Sequence, residues 1–337
     1  MTYPILSIII PVYNLEDYIG ACLDSVYSQF VDEEMFEIVA IDDGSSDNSL
    51  KRLHDYASVH ANMQVVSQRN GGVSSARNHA LKICKGQFVT FLDADDELYA
   101  DSIRQVIQHV QQMEVPFDIL YCRSFKKMSD NQLHEVHPWK HLFEEERMYE
   151  RVDLHDKRFI NGGCVWGGVY RKEFFSQNQL QFAEGVANGE DTIFVYMMYA
   201  CHPRIVYRDI KLNIINVREG SATHNCTMER VRRVEKNILY LIHQRTFHQG
   251  NASMSDAINK AAYHSIMLAI EMYLSVREKK SYKELYRILH IPEIRPLQII
   301  HPPLHQRIKS FLLNHNFWLC LMLIRCENWK NRFIKKS

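Results

Sequence analysis

The sequence lacks three features that would settle its class at once: an excess of charge, paired cysteines and a long apolar run. Forty basic residues balance forty acidic residues, so the global basic field typical of nucleic-acid-binding proteins is absent. The eight cysteines are scattered without a C-x-x-C pair, which is typical of reduced thiols. The apolar run near the N-terminus is too short for a signal peptide, so we expect a cytoplasmic protein.

Several motifs of nucleotide and metal chemistry are also missing. The sequence contains neither the G-K-[ST] ending of a phosphate-binding P-loop nor a G-x-G-x-x-G fingerprint. These absences argue against a kinase, an ATPase or a dinucleotide-dependent enzyme. The histidines show no H-E-x-x-H or Cys/His spacing, which argues against a zinc site.

The first half of the chain alternates segments typical of strands and of helices. Near-continuous apolar runs predict buried strands at residues 6–12, 37–42, 63–67 and 88–92. Helical spacing predicts a helix after Asn14, its expected N-cap, and further helices near 49–60 and 76–84. This alternation predicts an α/β fold with a mostly parallel, doubly wound sheet. The acidic and glycine-rich turns follow the carboxyl ends of strands, where such sheets bind ligands.

The strongest chemical signal is Asp93-Ala94-Asp95, at the end of the strand FVTFL. A turn there can bring both carboxylates to one Mn²⁺ or Mg²⁺ ion, which prefers hard oxygen ligands shared with substrate phosphates. Such an ion stabilises a departing diphosphate. The alternative is a solvated acidic turn in which Asp96 or Asp101 caps the next helix.

A second signal lies at the ends of the first two strands. Tyr13 offers a ring on which a nucleobase can stack, and Asp42 or Asp43 can accept hydrogen bonds from a base or ribose. Gly44 permits close approach of the ligand. An Asn14 helix cap and an ordinary Asp-Gly turn would explain the same residues.

A third signal is the segment NGGVSSARN, residues 70–78. Glycines before a helix can present backbone N–H groups to an anion. Arg77 adds a permanent cation, so the segment fits a diphosphate.

The segments PVYN, IDDGSSDNS, NGGVSSARN and FLDADD, in this order and spacing, resemble the family 2 glycosyltransferases of the GT-A fold, of the bacterial surface-glycan type. The resemblance covers about residues 6–224. It implies a Rossmann-related sheet flanked by helices and an inverting transfer from a nucleotide-diphosphate sugar, with UDP expected. It also implies roles for a set of residues: Pro11, Tyr13 and Asp43 at the base and ribose, with Asn14 and Asp42 beside them, Arg77 at the donor, and Asp93-Ala94-Asp95 as the metal-binding motif.

Further residues follow from the same resemblance. Asp191 matches the aspartate that serves the family as catalytic base, with Glu190 as the adjacent alternative. Both would equally stabilise a helix N-terminus through its dipole. Trp166 matches an aromatic residue near the sugar pocket, or is an ordinary core residue. In the segment 217–224, Arg218 is a candidate phosphate contact and His224 a candidate third metal ligand.

The expected organisation is a nucleotide-sugar-binding catalytic domain over residues 1–220 and a mainly helical region over 221–337. Within 308–337, an apolar, tryptophan-bearing stretch precedes a basic end, which suits peripheral contact with the cytoplasmic face of a membrane. The alternative is a helix packed on its own protein. The acceptor is expected to be a glycan or a lipid-linked saccharide. The rival functions are a sugar-phosphate nucleotidyltransferase, whose lysine-bearing loop after the first strand is missing, and a non-catalytic nucleotide-sugar-binding protein.

Overall fold

The computed structural model describes residues 3–29, 31–128, 130–136, 148–150, 163–186, 189–217, 227–276, 282–289 and 304–334. The chain forms two compact units. The first unit comprises Met1–Gly185 and Cys201–Glu219, and the second comprises Val186–Ala200 and Gly220–Ser337. The domain boundary at residue 220 stays a prediction, to which the structure adds that residues 186–200 belong with the second unit.

The first unit is built around one sheet. Its strands are β1 (Leu6–Val12), β2 (Phe36–Asp42), β3 (Met63–Ser67), β4 (Phe88–Phe91), β5 (Glu97–Leu98), β6 (Ile119–Lys127), β7 (Leu133–Glu135), β8 (Met148–Tyr149), β9 (Gly168–Arg171) and β10 (Ile205–Asn216). Its helices are α1 (Ile19–Tyr27), α2 (Ser49–Ala57), α3 (Val73–Ile83), α4 (Ser102–Gln112) and α5 (Lys172–Gln177).

The strands lie in the order β3-β2-β1-β4-β9-β6-β10-β5, with β7 beside β6 and β8 beside β10. The pairs β2–β3, β1–β2, β1–β4 and β6–β10 are parallel. Strand β9 runs antiparallel to both β4 and β6. The α/β class is therefore confirmed, and the sheet is mixed where the sequence predicted mostly parallel pairing. Strands β1 and β2 are buried along their whole length, as their continuous apolar runs require.

Pro11 marks the point where β1 leaves one of its neighbours. The pairing of β1 with β4 ends at Ile9, opposite Phe91, while the pairing with β2 continues to Val12, opposite Asp42. Proline has no N–H to donate, and Pro11 lies beyond the last residue of β1 that pairs with β4, although it still pairs with Ile41 of β2. The loops after β1, β2 and β4 consequently leave the sheet at the same edge.

The first helix begins later than its sequence pattern predicts. Asn14 has a positive φ of 52° and helix α1 starts at Ile19, so the prediction of Asn14 as its N-cap is wrong. The side chain of Asn14 instead accepts hydrogen bonds from the N–H and the hydroxyl of Ser46, at 2.8 and 3.3 Å. This contact joins the loop after β1 to the loop after β2.

The second unit is helical, as expected. Its helices are α6 (Glu190–Tyr199), α7 (Met228–Phe247), α8 (Ala252–Ser275), α9 (Tyr282–Leu289), α10 (Leu304–His315) and α11 (Phe317–Ile334). Helix α8 packs against both α6 and α7. Side-chain oxygens of Thr227 and Asn251 cap the N-termini of α7 and α8. None of the helices in the described ranges has the length and apolarity needed to span a bilayer.

Candidate functional site at the carboxyl edge of the sheet

Two buried aspartates end strand β2 and open the loop that follows it. Asp42 accepts hydrogen bonds from the hydroxyl of Ser67 at 2.9 Å and from the N–H of Ser45 at 3.3 Å. Ser67 is the last residue of the neighbouring strand β3, so this carboxylate ties the ends of two strands together. Asp42 thereby shapes the rim of the site from within the protein.

The carboxylate of Asp43 holds the glycine turn that precedes helix α3. One oxygen accepts from the N–H of Gly71 at 2.9 Å and from the Gln68 amide at 2.8 Å, and the other accepts from the N–H of Gly72 at 2.7 Å. Gly72 has a φ of 85°, which a glycine adopts without strain. The N–H groups of Gly71 and Gly72 therefore bind an anion that belongs to the protein itself, the Asp43 carboxylate.

Arg77 and Asp93 form an ion pair between helix α3 and the end of strand β4. A terminal guanidinium nitrogen of Arg77 donates to Oδ1 of Asp93 at 2.9 Å. The side chain of Arg77 is only 3% exposed, whereas that of Asp93 is 36% exposed. The guanidinium carbon lies 5.3 Å from the ring centre of Phe182 and 5.9 Å from that of Phe91. Arg77 thus approaches Asp93 from the protein interior and leaves part of that carboxylate open to solvent.

Helix α1 supports the acidic turn after β4 from one side. The thiol of Cys22 donates to the carbonyl of Asp93 at 3.8 Å, and the hydroxyl of Ser25 accepts from the N–H of Leu98 at 2.9 Å. Burial, followed by the negative charge of Asp96 and its acidic neighbours, raises the pKa of the Cys22 thiol well above its ordinary value. The thiol therefore keeps its proton at neutral pH and can serve as this donor.

The end of strand β10 supports the same turn from the other side. The backbone N–H of Asn216 donates to the carboxylate of buried Asp96 at 2.9 Å. Its side-chain amide donates to the carbonyl of Asp95 at 2.9 Å and to the carboxylate of Glu97 at 3.0 Å. Sequence reasoning missed Asn216, because neither a motif that contains it nor the strand that it ends was predicted. Asp96 therefore braces the turn, and neither it nor Asp101, which makes no capping hydrogen bond, caps helix α4 with its side chain.

A second contact missed from the sequence fixes helix α3 to the segment after α5. The Asn78 amide accepts from the N–H of Phe182 at 2.8 Å and donates to the carbonyl of Phe182 at 3.0 Å and to Glu184 at 2.9 Å. Arg77 precedes Asn78 in the chain and packs on the ring of Phe182. The hydrogen bonds of Asn78 to Phe182 therefore also fix the position of the ring that lies beside the ion pair of Arg77 and Asp93.

The other predicted residues occupy different parts of the chain. Tyr13 is 50% exposed after β1, as a stacking platform requires, and Trp166 is half-buried before β9. Glu190 and Asp191 are half-buried in the first turn of α6, where acidic side chains stabilise the helix dipole, and they belong to the second unit. Arg218 and His224 lie outside the described residues.

The acidic turn offers two hard oxygen donors to a cation. Asp93 and Asp95 are both partly exposed, while Ala94 between them is buried. Among the residues that the structure describes, no three His, Cys, Asp or Glu side chains group into a complete metal site. A pair of carboxylates fits Mg²⁺ or Mn²⁺ when a bound diphosphate and water supply the remaining ligands, which is the usual pattern for Mg²⁺.

Comparison with known proteins agrees with this architecture. The chain is 31% identical over 223 residues to the uncharacterized glycosyltransferase EpsJ of Bacillus subtilis, covering 65% of this chain and 63% of EpsJ. It is 41% identical over 200 residues to the poly(ribitol-phosphate) beta-glucosyltransferase of Bacillus spizizenii, covering 58% of this chain and 29% of that enzyme. The chain thus spans less than two thirds of the length of either relative.

The fold matches that of a solved structure. The structure of S. aureus TarS 1-349 in complex with UDP aligns with a TM-score of 0.65 and 22% identity, covering 92% of this chain and 89% of that one. This likeness shows the GT-A fold. The sequence profile described as Glycosyl transferase family 2 matches residues 7–177, which is half of the chain. The protein belongs to glycosyl transferase family 2.

Proposed function

We propose that this protein is an inverting glycosyltransferase that moves a sugar from a UDP-sugar to a hydroxyl of a glycan or lipid-linked saccharide acceptor. The observation that carries the proposal is that strands β1, β2 and β4 all end at one edge of the sheet. Tyr13, the glycine turn that Asp43 holds and the turn from Asp93 to Asp95 follow these strands at that edge. Membership of the family supports sugar transfer as the reaction class. The edge of the sheet is also where open α/β folds bind nucleotides.

The donor would bind with its base near Pro11 and Tyr13. The exposed ring of Tyr13 provides the stacking surface, and Asp42 and Asp43 keep the two flanking loops in place through their hydrogen bonds. One oxygen of Asp43 accepts two hydrogen bonds and the other accepts one, so the second oxygen has the capacity to accept a further hydrogen bond from a ribose or base. The TarS structure with UDP supports UDP as the first nucleotide to test.

Asp93 and Asp95 would hold Mn²⁺ or Mg²⁺ together with the donor diphosphate. Such an ion, when bound, offsets the charge of the departing diphosphate. Arg77 keeps one oxygen of Asp93 engaged and thereby fixes the direction of the other. Ala94 is buried beneath the turn, and Asn216 holds the backbone of Asp95. His224 stays a proposed third ligand from the protein.

Asp191 would take the proton from the acceptor hydroxyl as its oxygen attacks the sugar. An inverting reaction needs one such carboxylate on the acceptor side. Glu190 is the alternative, although one of its oxygens already accepts from the N–H of Gly189 at 3.1 Å. Trp166 is proposed to line the sugar pocket. We also place the reaction in the cytoplasm.

The test is a panel of nucleotide sugars and free nucleotides, each with and without Mn²⁺. We expect UDP with Mn²⁺ to raise the unfolding temperature, because a ligand that binds only the folded state stabilises it. A UDP-sugar should then release UDP when an acceptor is added. Release of pyrophosphate from a nucleoside triphosphate would instead identify a nucleotidyltransferase. Binding without any turnover across acceptors would favour a sugar-binding protein.

A further inference from the structure

The last two helices of the second unit contact each other, and each of them buries one of its sides in the unit. Helix α10 ends at His315 and α11 begins at Phe317, so a single residue links them. The thiol of Cys320 donates to the carbonyl of Lys309 at 3.7 Å, and Lys309 forms an ion pair with Glu327 at 2.6 Å. Apolar side chains on this side are buried: Leu313, Phe317, Cys320, Leu321 and Ile324. This side provides the core contacts that such helices need.

Large apolar side chains also lie on the opposite, solvent-facing side. Five of the fifteen exposed large apolar residues in the described part of the chain fall within 308–322, and they form what we call the apolar face: Ile308 (45% exposed), Phe311 (61%), Trp318 (47%), Leu319 (48%) and Met322 (62%). The spacings 308–311 and 318–319–322 place the members of each helix on one helical face. Single exposed apolar residues are ordinary, but a cluster marks an interaction surface.

The charge around this face identifies the partner. Residues 304–337 contain seven basic residues and one acidic residue, although the whole chain has forty of each. The rest of the chain therefore has an excess of six acidic residues, and positive charge is concentrated in the stretch of sequence that contains the apolar face. Arg307 and Arg325 are both exposed on the helices that carry the face. A second copy of the chain would bring the same positive charge against this one, whereas an anionic lipid surface would attract it.

We propose that helices α10 and α11 form a peripheral docking surface for an anionic membrane, with the apolar face inserted into the headgroup layer. Apolar and aromatic side chains next to basic residues give a helix this mode of binding. The basic residues of 304–337 attract the segment to the anionic lipid headgroups, and the apolar face inserts between them. The inference is independent of the sugar transfer and holds whatever the catalytic activity is.

The test measures binding of the full chain to lipid vesicles by co-sedimentation. We expect binding to phosphatidylcholine vesicles that contain phosphatidylglycerol, weaker binding to phosphatidylcholine alone, and a decrease as salt screens the charges. The triple variant Phe311→Ser, Leu319→Ser, Met322→Ser should bind anionic vesicles about tenfold or more weakly, because it removes the inserted apolar area.

The matched control is the double variant Leu239→Ser, Phe247→Ser, which removes two exposed apolar side chains from α7, outside the apolar face. It should keep the wild-type affinity for vesicles. Circular dichroism and thermal unfolding of all variants report whether the fold is kept. Equal binding of the triple variant and the wild type, or no binding of the wild type to anionic vesicles, would overturn the proposal. Concentration-dependent dimers that the triple variant abolishes would assign the face to a second copy and would also overturn it.

Discussion

The guanidinium of Arg77 donates a hydrogen bond to the Asp93 carboxylate at a distance of 2.9 Å. Arg77 is almost fully buried, while Asp93 stays partly exposed to solvent. The two partners therefore differ in burial, since the Arg77 cation lies in the interior and the Asp93 carboxylate lies at the surface of the candidate site. Packing on Phe182 and Phe91 restricts the guanidinium to this direction. Arg77 is better placed to orient the Asp93 carboxylate, which we propose as a metal ligand, than to meet a diphosphate directly.

Arg77→Met should weaken manganese-dependent UDP binding by about 10- to 100-fold, which is the usual effect of removing a residue that orients a metal ligand. The apolar methionine fills the space beside Phe182, and Asp93 remains solvated, so we expect the protein to stay folded. Titration calorimetry of UDP with and without Mn²⁺ measures the effect. The control is Arg52→Met on the exposed side of α2. Unchanged affinity in Arg77→Met would leave the ion pair with a purely structural role.

Asn216→Ala should also weaken manganese-dependent UDP binding, by about tenfold or more, because the turn loses the hydrogen bonds to the Asp95 carbonyl and to Glu97. The control is Asn251→Ala, which removes the side-chain cap of helix α8 in the second unit. This change should lower the free energy of unfolding by about 1 kcal/mol and leave UDP affinity unaltered. Thermal unfolding and calorimetry of both variants separate the two effects. Equal UDP affinity in the two variants would contradict a positioning role for Asn216.

The strands of the first half were predictable because burial on both faces leaves a continuous apolar run. The expected limits of β1 agree with the structure, and the expected start of β2 differs by one residue. The start of helix α1 was not predictable from local pattern, because the partner of Asn14 is Ser46 in another loop. A side chain that can cap a helix can equally bond a distant backbone, and the sequence does not rank the two.

The acidic and glycine motifs were recognisable, but their hydrogen-bond partners were not. Asp43 engages the glycine turn near residues 71 and 72, a connection that no spacing rule implies. The brace at Asn216 acts over about 120 residues of chain separation and has no motif of its own. The antiparallel strand β9 was hidden for a different reason, since a strand of four residues carries little periodic signal.

Asp191→Asn should lower turnover by about 10²- to 10⁴-fold, the usual contribution of a general base, and leave UDP affinity within a few-fold. The amide has nearly the same shape but takes no proton. Initial rates of UDP release at saturating donor and acceptor measure turnover. Glu190→Gln is the matched control on the same helix turn. Loss of turnover in Glu190→Gln together with normal turnover in Asp191→Asn would assign the base to Glu190.

Asp118 should contribute stability at neutral pH that disappears in acid. Its carboxylate accepts hydrogen bonds from the backbone and guanidinium of Arg204, at 2.8 and 3.0 Å, and from the Arg171 guanidinium. Burial alone would raise the pKa of Asp118, but the hydrogen bonds from Arg204 and Arg171 outweigh it and lower that pKa. A carboxyl whose pKa is lower in the folded state stabilises the protein above its ordinary unfolded pKa of about 4 and loses this effect below it.

Asp118→Asn should therefore reduce the free energy of unfolding by about 2 kcal/mol at neutral pH, the scale of hydrogen bonds to a buried charged group. The difference from the wild type should shrink as pH falls below about 4, because the protonated aspartic acid then resembles the amide. Urea unfolding at several pH values measures this dependence. Asp101→Asn is the control, since the pKa of Asp101 is also lowered, above all by a hydrogen bond from Arg104, but this ion pair is exposed. An exposed pair of this kind adds little stability, so Asp101→Asn should unfold like the wild type at every pH. If the difference in the free energy of unfolding between Asp118→Asn and the wild type stays constant in acid, packing around Asp118, and not its charge, stabilises the contacts with Arg171 and Arg204.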